Sequence, residues 1–330
     1  MEENNTMTTE SEVFLEQPPQ ENPRSAQKKK MKSGMGQRSA NVFFYTMVAL
    51  PIVQFIIFYI VVNFNSILLA FKQYEVLPGE GYITKWANFS NFEAIFMEWK
   101  NTDYIRNSLP NALKYFAANV LLVMPLTLLF AYYIFKKFRG HEFFKVMLFL
   151  PSVICNMVIV LFYRDFIEGV VGGAVKLDTI LNDDVRAGLP LMILYVTLSF
   201  SGSILLYLNA MSAISQSTIE AAKIDGASEI RTFWHIVLPS IWGTIVSLLV
   251  LAFADIGMGQ ANLFSIYGST ALKSQQTLGY YIFNLVASQN GNDLTQYPKA
   301  AAYGLLVTVI IAPLTIMART LLLKYGPRDE

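Results

Sequence analysis

"IEAAKIDGASEIRTFWHIVLP", Ile219 to Pro239, is a polar stretch set between two long apolar ones. It carries helix start and stop signals of its own. Just ahead of it, Ser217 and Glu220 have the spacing of a capping box, in which Ser217 accepts from the Glu220 amide and the Glu220 side chain reaches back. Asp225-Gly226 supplies a turn, because glycine tolerates the positive φ that ends a helix. A second helix is predicted from Ser228, with Ile230, Phe233, Trp234 and Val237 at the i, i+3, i+4, i+7 spacing of one apolar face. Pro239 suits the first turn of the apolar segment that follows, where a missing N–H costs nothing. The stretch 217–239 thus reads as a two-helix elbow whose tip bears the small residues Ala221, Ala222, Gly226 and Ala227, so that another protein's surface can come close. From the residues alone, an ordinary loop stapled to a membrane surface by Phe233 and Trp234 accounts for it equally well.

The sequence on either side of the elbow sets the class. Of 330 residues, 54% are hydrophobic and 15% charged, too apolar a balance for an ordinary soluble domain. A bilayer core of about 30 Å takes about 20 apolar residues per helix. Six segments meet that length: 42–64, 110–135, 143–163, 188–212, 240–264 and 300–323. Residues 1–40 are polar and then basic, with little to bury, and are expected to form a disordered cytoplasmic tail. The first apolar run follows a long flank and has no small-x-small site after it, so it is expected to stay as a span and not to serve as a signal peptide.

Basic residues fix the orientation. Lys28, Lys29, Lys30, Lys32 and Arg38 precede the first span, and Lys136, Lys137, Arg139 and Lys145 crowd the connection between the second and third. Both are expected on the cytoplasmic side, as is the C-terminal end 326–330, and the elbow falls on that side too. The fold class expected is an all-α integral membrane protein of about six transmembrane helices, N-in and C-in, with its membrane domain over 41–325. The first outer loop, 65–109, is dense in aromatics (Tyr82, Trp86, Phe89, Phe92, Phe96, Trp99), which suit either a belt lying on membrane lipid or a docking surface for an external partner.

Polar groups within apolar helices usually face a protein interior or a wet cavity. In the fifth span Asp255, Gly259 and Asn262 fall at i, i+4, i+7, one helix face, and a mid-membrane carboxylate there can accept from sugar hydroxyls or pair with a partner helix for assembly. Gly257 and Gly259 also permit close helix crossing. The single cysteine, Cys155, reads as a small packing residue in a helix, and His141 and His235 have no neighbours at ligand spacing, so no metal site is expected. A net charge of +1 spread over short loops gives no basic face for nucleic acid. Neither a phosphate-cradling GxxxxGK[ST] loop nor a nucleophile constellation is present, so no catalytic residues and no cofactor are expected on this chain, which reads as a non-enzyme.

Glu220-Ala221-Ala222, three residues, Gly226, nine residues and then Ile236-x-Leu238-Pro239 resembles, without a gap, the EAA signature of permease subunits in binding-protein-dependent ATP-driven (ABC) importers. "LLAFKQY" (Leu68–Tyr74), "WANFSNFEAIF" (Trp86–Phe96), "LFLPSVI" (Leu148–Ile154), "QQTLGYYIFN" (Gln275–Asn284) and "YPKAAAYGLL" (Tyr297–Leu306) extend the likeness to carbohydrate permeases of the maltose, multiple-sugar and polysaccharide type, without the Gly-Gly-Pro segment of the maltose-like branch. The resemblance implies that the first elbow helix is a coupling helix seated on an ATPase, with Glu220 and Asp225 fixing the elbow or meeting the ATPase, Gly226 making the bend and Ala221, Ala222 and Ala227 allowing close seating. Phe233, Trp234 and Pro239 would pack the elbow. It also implies sugar contacts on the spans before and after the elbow, here around Tyr195, Ser199 and Ser203 and around Asp255, Gly259 and Asn262. Implied partners are a second EAA-type permease, an ABC ATPase dimer holding ATP and magnesium, an extracellular solute-binding protein and a carbohydrate, all at a bacterial cell membrane. Import of a polyamine or phosphate ester, a secondary transporter, and a membrane anchor with no transport role are the alternatives. One aspartate among hydroxyls and amides suits a neutral polyol better than either charged solute.

Overall fold

The computed structural model describes residues 37–77, 81–175, 180–287 and 294–327. The expected tail up to residue 36, with its basic run Lys28–Lys32, lies outside the described residues, as do residues 328–330 of the C-terminal end. Among the described residues, four helices are each long and apolar enough to cross a membrane: Asn41–Leu69, Ile105–Phe135, Gly188–Ser212 and Leu294–Tyr325. Two bent helix pairs raise the total to six: His141–Val153 with Asn156–Gly172, bent by 98°, and Glu229–Ser240 with Trp242–Met258, bent by 69°. The chain is therefore a mostly helical, multi-pass membrane protein. It divides into two compact units, one ending at Val62 and the other starting at Asn63. The first unit is the apolar helix Gln37–Phe55 with a π turn over Ile56–Val61.

Within the second unit, the span Gly188–Ser212 packs along Met124–Phe135, and Trp242–Met258 packs along the last helix, Tyr297–Tyr325. In lipid no hydrophobic force draws such helices together, so close approach depends on small residues. Gly257 meets this need: a Cβ there would stand 2.3 Å from Val307 Cγ1, so a larger residue would push Val307 aside at this crossing.

Two spans differ from their sequence-based outlines. The third is no straight helix over 143–163. It breaks at Ile154, which is extended, and Cys155, three and four residues past Pro151, whose missing N–H removes a rung of the helix ladder. Cys155 consequently lies in the break, exposed, not packed inside a helix. The fifth span is not continuous over 240–264: it starts after the bend at Ile241 and stops at Met258. The elbow runs Gln216–Ile224 and Glu229–Ser240.

The first outer loop holds a hairpin the all-helical outline did not include. Strands β1 (Lys72–Leu77) and β2 (Gly81–Trp86) pair antiparallel, with Lys72 opposite Trp86. The amphipathic helix Ser90–Asn101 is tied to β1 by the Asn91 amide, which donates to the Ala70 and Lys72 carbonyls at 2.8 Å. Phe71 gathers Trp86, Phe89 and Phe92 around it, so part of the aromatic density is the loop's own small core. Glu98 on the same helix accepts from Tyr281 and Tyr303 and pairs with Lys299, fastening the loop to the last helix.

Candidate functional sites: an elbow and a polar cavity

The first elbow helix begins at Ser215, not Ser217. Ser215 Oγ accepts from the Thr218 amide at 3.2 Å and hydrogen-bonds the Thr218 hydroxyl at 2.7 Å, so Ser217 and Glu220 make no capping box. The helix has simply started two residues earlier, and Glu220, exposed on its second turn, accepts from the Gln216 amide group at 3.2 Å. The helix ends as the sequence requires. Gly226 sits at φ +72°. The Ala227 N–H reaches the Ala222 carbonyl at 3.0 Å and the Gly226 N–H reaches Lys223 at 3.1 Å, the paired bonds of a Schellman close. Ser228 caps the second helix by accepting from the Arg231 amide at 3.3 Å.

That second helix does not bury the whole predicted face. Phe233 and Val237 are buried, while Ile230 and Trp234 remain 74% and 59% exposed. A π turn over Phe233–Val237 winds wider than 3.6 residues, which takes the four positions off one line. Pro239 falls at the end of this second helix, ahead of the bend at Ile241, and not in the first turn of the span. Between the two elbow helices an open groove of about 550 Å³ is lined by Ser217, Thr218, Ala221, Ala222, Asp225 and Ile236. Ile224, 86% exposed, stands beside the turn.

Glu229, which the sequence reading passed over, anchors the elbow. Its carboxylate accepts from Lys136 Nζ at 2.8 Å and from the Tyr132 hydroxyl at 2.7 Å, and the same hydroxyl lies 3.1 Å from the Glu229 carbonyl. The Tyr132 ring meets Phe233 edge-on at 5.0 Å. Partial burial pushes the Glu229 carboxyl up, but the hydrogen bonds from Lys136 and Tyr132 and the Lys136 charge outweigh it, and its pKa falls below the ordinary carboxylate range. Beyond the bend, the Trp242 indole donates to the Leu322 carbonyl at 3.1 Å, holding the last helix to the base of the fifth span.

The second site lies among the spans. Tyr195, Ser199, Asp255, Gly259 and Asn262 line one cavity of about 490 Å³. Ser203 lines an adjoining one of about 520 Å³ that shares Tyr195, Ser199 and Asp255. All six sequence-chosen positions are thus brought together, though not by the geometry that chose them. The helix closes at Met258, with the Gly259 N–H on the Asp255 carbonyl at 2.7 Å, and Ala261 and Asn262 turn left-handed at φ 49° and 61°. Asn262 therefore leaves the helix and enters the cavity from a loop. There it accepts from Asn156 Nδ2 at 2.7 Å, so the break in the third span and the end of the fifth meet at one hydrogen bond.

Support comes from behind. The Thr277 hydroxyl donates to the Gly259 carbonyl at 2.8 Å, and a Cβ on Gly279 would stand 2.3 Å from the Met258 backbone, so these two residues clamp the end of the fifth span. Asn119 reaches the Tyr195 hydroxyl at 3.4 Å, and the Tyr115 ring lies edge-on to Tyr195 at 4.9 Å. Asn119, Asn156, Gln260 and Thr277 were absent from the sequence reading; only their polarity inside apolar surroundings marked them. Asp255 is the one charged side chain lining either cavity. Among the described residues no cluster of three or more His, Cys, Asp or Glu side chains is placed to hold a metal. His141 and His235 contact main-chain carbonyls of their own neighbourhoods.

The family described as binding-protein-dependent transport system inner membrane component matches residues 123–325. A polygalacturonan/rhamnogalacturonan transport system permease protein of Bacillus subtilis (strain 168) is 27% identical over 303 residues, covering 86% of this chain and 88% of that one. A multiple sugar-binding transport system permease protein of Streptococcus mutans is 23% identical over 288 residues, covering 85% and 95%. Among solved structures, a bacterial ABC transporter involved in the import of the acidic polysaccharide alginate superimposes with a TM-score of 0.70 at 20% identity, over 87% of this chain and 97% of that one. The likeness to it is one of fold.

Proposed function

Because this chain belongs to the family of binding-protein-dependent transport system inner membrane components, we propose that it is the permease subunit of an ATP-driven importer carrying a sugar or oligosaccharide into the cytoplasm. The chain itself is not an enzyme; ATP is hydrolysed on a separate ATPase subunit. The groove beside Ala221, Ala222 and Asp225, closed by the turn at Gly226, is the ATPase seat, and the cavity around Asp255 receives the sugar. A second EAA-type permease completes the pathway, and an extracellular solute-binding protein delivers the cargo. Closure of the ATPase pair draws the elbows together and opens the cavity outward; hydrolysis returns it inward. The setting is a bacterial inner membrane.

One observation carries the choice of cargo: a cavity with one carboxylate, no lysine or arginine, and Tyr115, Tyr195, Ser199, Asn156, Gln260 and Asn262 on its wall. Hydroxyls and amides match the donors and acceptors of an uncharged glycan. Phosphate esters and polyuronates would bring negative charge towards Asp255, and a polyamine would call for more than one carboxylate. The expected cargo is therefore neutral, unlike the acidic polysaccharide alginate named for one of the similar structures.

Purification of the chain from its native membranes in mild detergent, with mass spectrometry, tests the assembly. Recovery of an ABC ATPase and a second EAA-bearing permease is expected, and recovery of this chain alone would overturn the reading. In the recovered complex, neutral oligosaccharides on the binding protein should stimulate ATP hydrolysis and oligouronates should not. Asp255→Ala should lower uptake about tenfold through the loss of one or two charge-assisted hydrogen bonds.

A further inference from the structure

The chain joins the elbow to the fourth span through Ala213–Ser215 and to the fifth span through the 69° bend at Ile241, which leaves helical geometry at φ −102°. A bent junction is a poor lever. A further connection, to the second span, is built from side chains: Glu229, on the first turn of the second elbow helix, holds Lys136 at 2.8 Å and Tyr132 at 2.7 Å. Tyr132 lies in the last turn of the helix Ile105–Phe135, and Lys136 caps its C-terminal end. The same helix carries Tyr115, Phe116 and Asn119 to the cavity. At 1.5 Å per residue, Tyr115 and Tyr132 are about 25 Å apart along one helix.

The Lys136 side chain is 7% exposed. Covering an ammonium costs free energy that an apolar residue of similar volume would not, so the pair is a weak source of stability and a strong source of register. We infer that Glu229, Lys136 and Tyr132 form a joint that passes the elbow's movement to the second span, and through it to the cavity wall. This rests on reading the elbow as the ATPase seat. The three are positioning residues, since none lines the groove or the cavity.

The test uses the whole transporter in proteoliposomes, with its ATPase, second permease and binding protein, and reads sugar moved per ATP hydrolysed. Glu229→Gln and Lys136→Met should assemble and hydrolyse ATP, with sugar moved per ATP down at least fivefold. The reciprocal pair Lys136→Glu with Glu229→Lys should return the ratio to within about twofold of the native protein, as restored packing alone would not. Tyr132→Phe keeps the ring against Phe233 and removes only the hydroxyl, so it decides the matter if the charge variants fail to assemble; it should lower the ratio about twofold. A native ratio in Glu229→Gln, or in Tyr132→Phe, overturns the joint. Should the native complex hold no ATPase, the reading of the elbow fails instead, and the two failures are distinguishable.

Discussion

Replacing Gly226 separates backbone conformation from contact at the elbow. At φ +72° an L side chain is strained, yet a Cβ there meets no heavy atom within 4 Å. The cost is thus conformational alone, about 1–2 kcal/mol for an ordinary residue and more for a β-branched one. At about 1.4 kcal/mol per factor of ten, Gly226→Val should leave the native turn populated at least roughly 5- to 30-fold less against alternatives in which the first elbow helix runs on. Such alternatives break the bonds from Ala227 to Ala222 and from Gly226 to Lys223, which fix the angle between the elbow helices. Sugar uptake driven by ATP should fall by a similar factor while the protein stays in the membrane at native levels. Gly226→Asn, which tolerates the left-handed region, should recover most of it. The assay is ATP-driven uptake in proteoliposomes, with the amount of inserted protein measured alongside. Native uptake in Gly226→Val, or an Asn variant no better than Val, would refute the reasoning.

Three further outcomes are expected. Glu220→Arg reverses an exposed charge on the first elbow helix and should uncouple uptake without loss of protein, so intact uptake in this variant removes Glu220 from the ATPase contact. Gly257→Leu and Gly279→Ala each force an atom within 2.3 Å of a neighbour and should lower thermal stability in detergent by about 1–3 kcal/mol, whereas Gly202→Ala, with open space around it, should change little. The Glu229 carboxyl is depressed, so its stabilisation is present in full above the unfolded value near about 4.3 and is lost as pH falls through the lower folded value. The melting difference between the native protein and Glu229→Gln should accordingly stay level from pH 8 to about 5 and shrink below about 4. A difference that widens in acid would reverse the sign and with it the assignment of Lys136 as the dominant partner.

The sequence reading found what depends on length and composition. Five of the six spans agree closely with their apolar runs at one end or both, and Gly188–Ser212 agrees at both, because a hydrophobic run of bilayer length has few other uses. Continuity was less legible. Nothing in the hydropathy of "LPSVICNMV" distinguishes a straight helix from one broken by 98°; Pro151 was the only local sign. Likewise "DIGMGQANL" fits a helix by periodicity, and its two glycines were the hint that the helix stops at Met258. Asp255 and Asn262 nevertheless line one cavity, although the helix that was to carry both stops between them. Glu229 escaped notice because its meaning lies in Tyr132 and Lys136, about 95 residues away, and no local pattern encodes such a pairing.

The π turn Asn119–Val123 lies between the cavity residues Tyr115 and Phe116 and the elbow-facing end of the second span at Tyr132. A π turn holds one residue more than an α turn over the same rise, whereas a regular helix rotates 100° for every residue gained or lost. The span's length can therefore change by one residue at this place alone without swinging Tyr115 away from the side of the helix set by Tyr132. Deleting a single residue between Asn119 and Val123 would close the turn into ordinary α-helix with both halves still facing their partners, and the same deletion between Met124 and Ala131 would rotate the cavity wall out of register with the elbow. The second span thus has one adjustable joint, next to the cavity, where its length can change by one residue without turning the cavity wall away from the elbow.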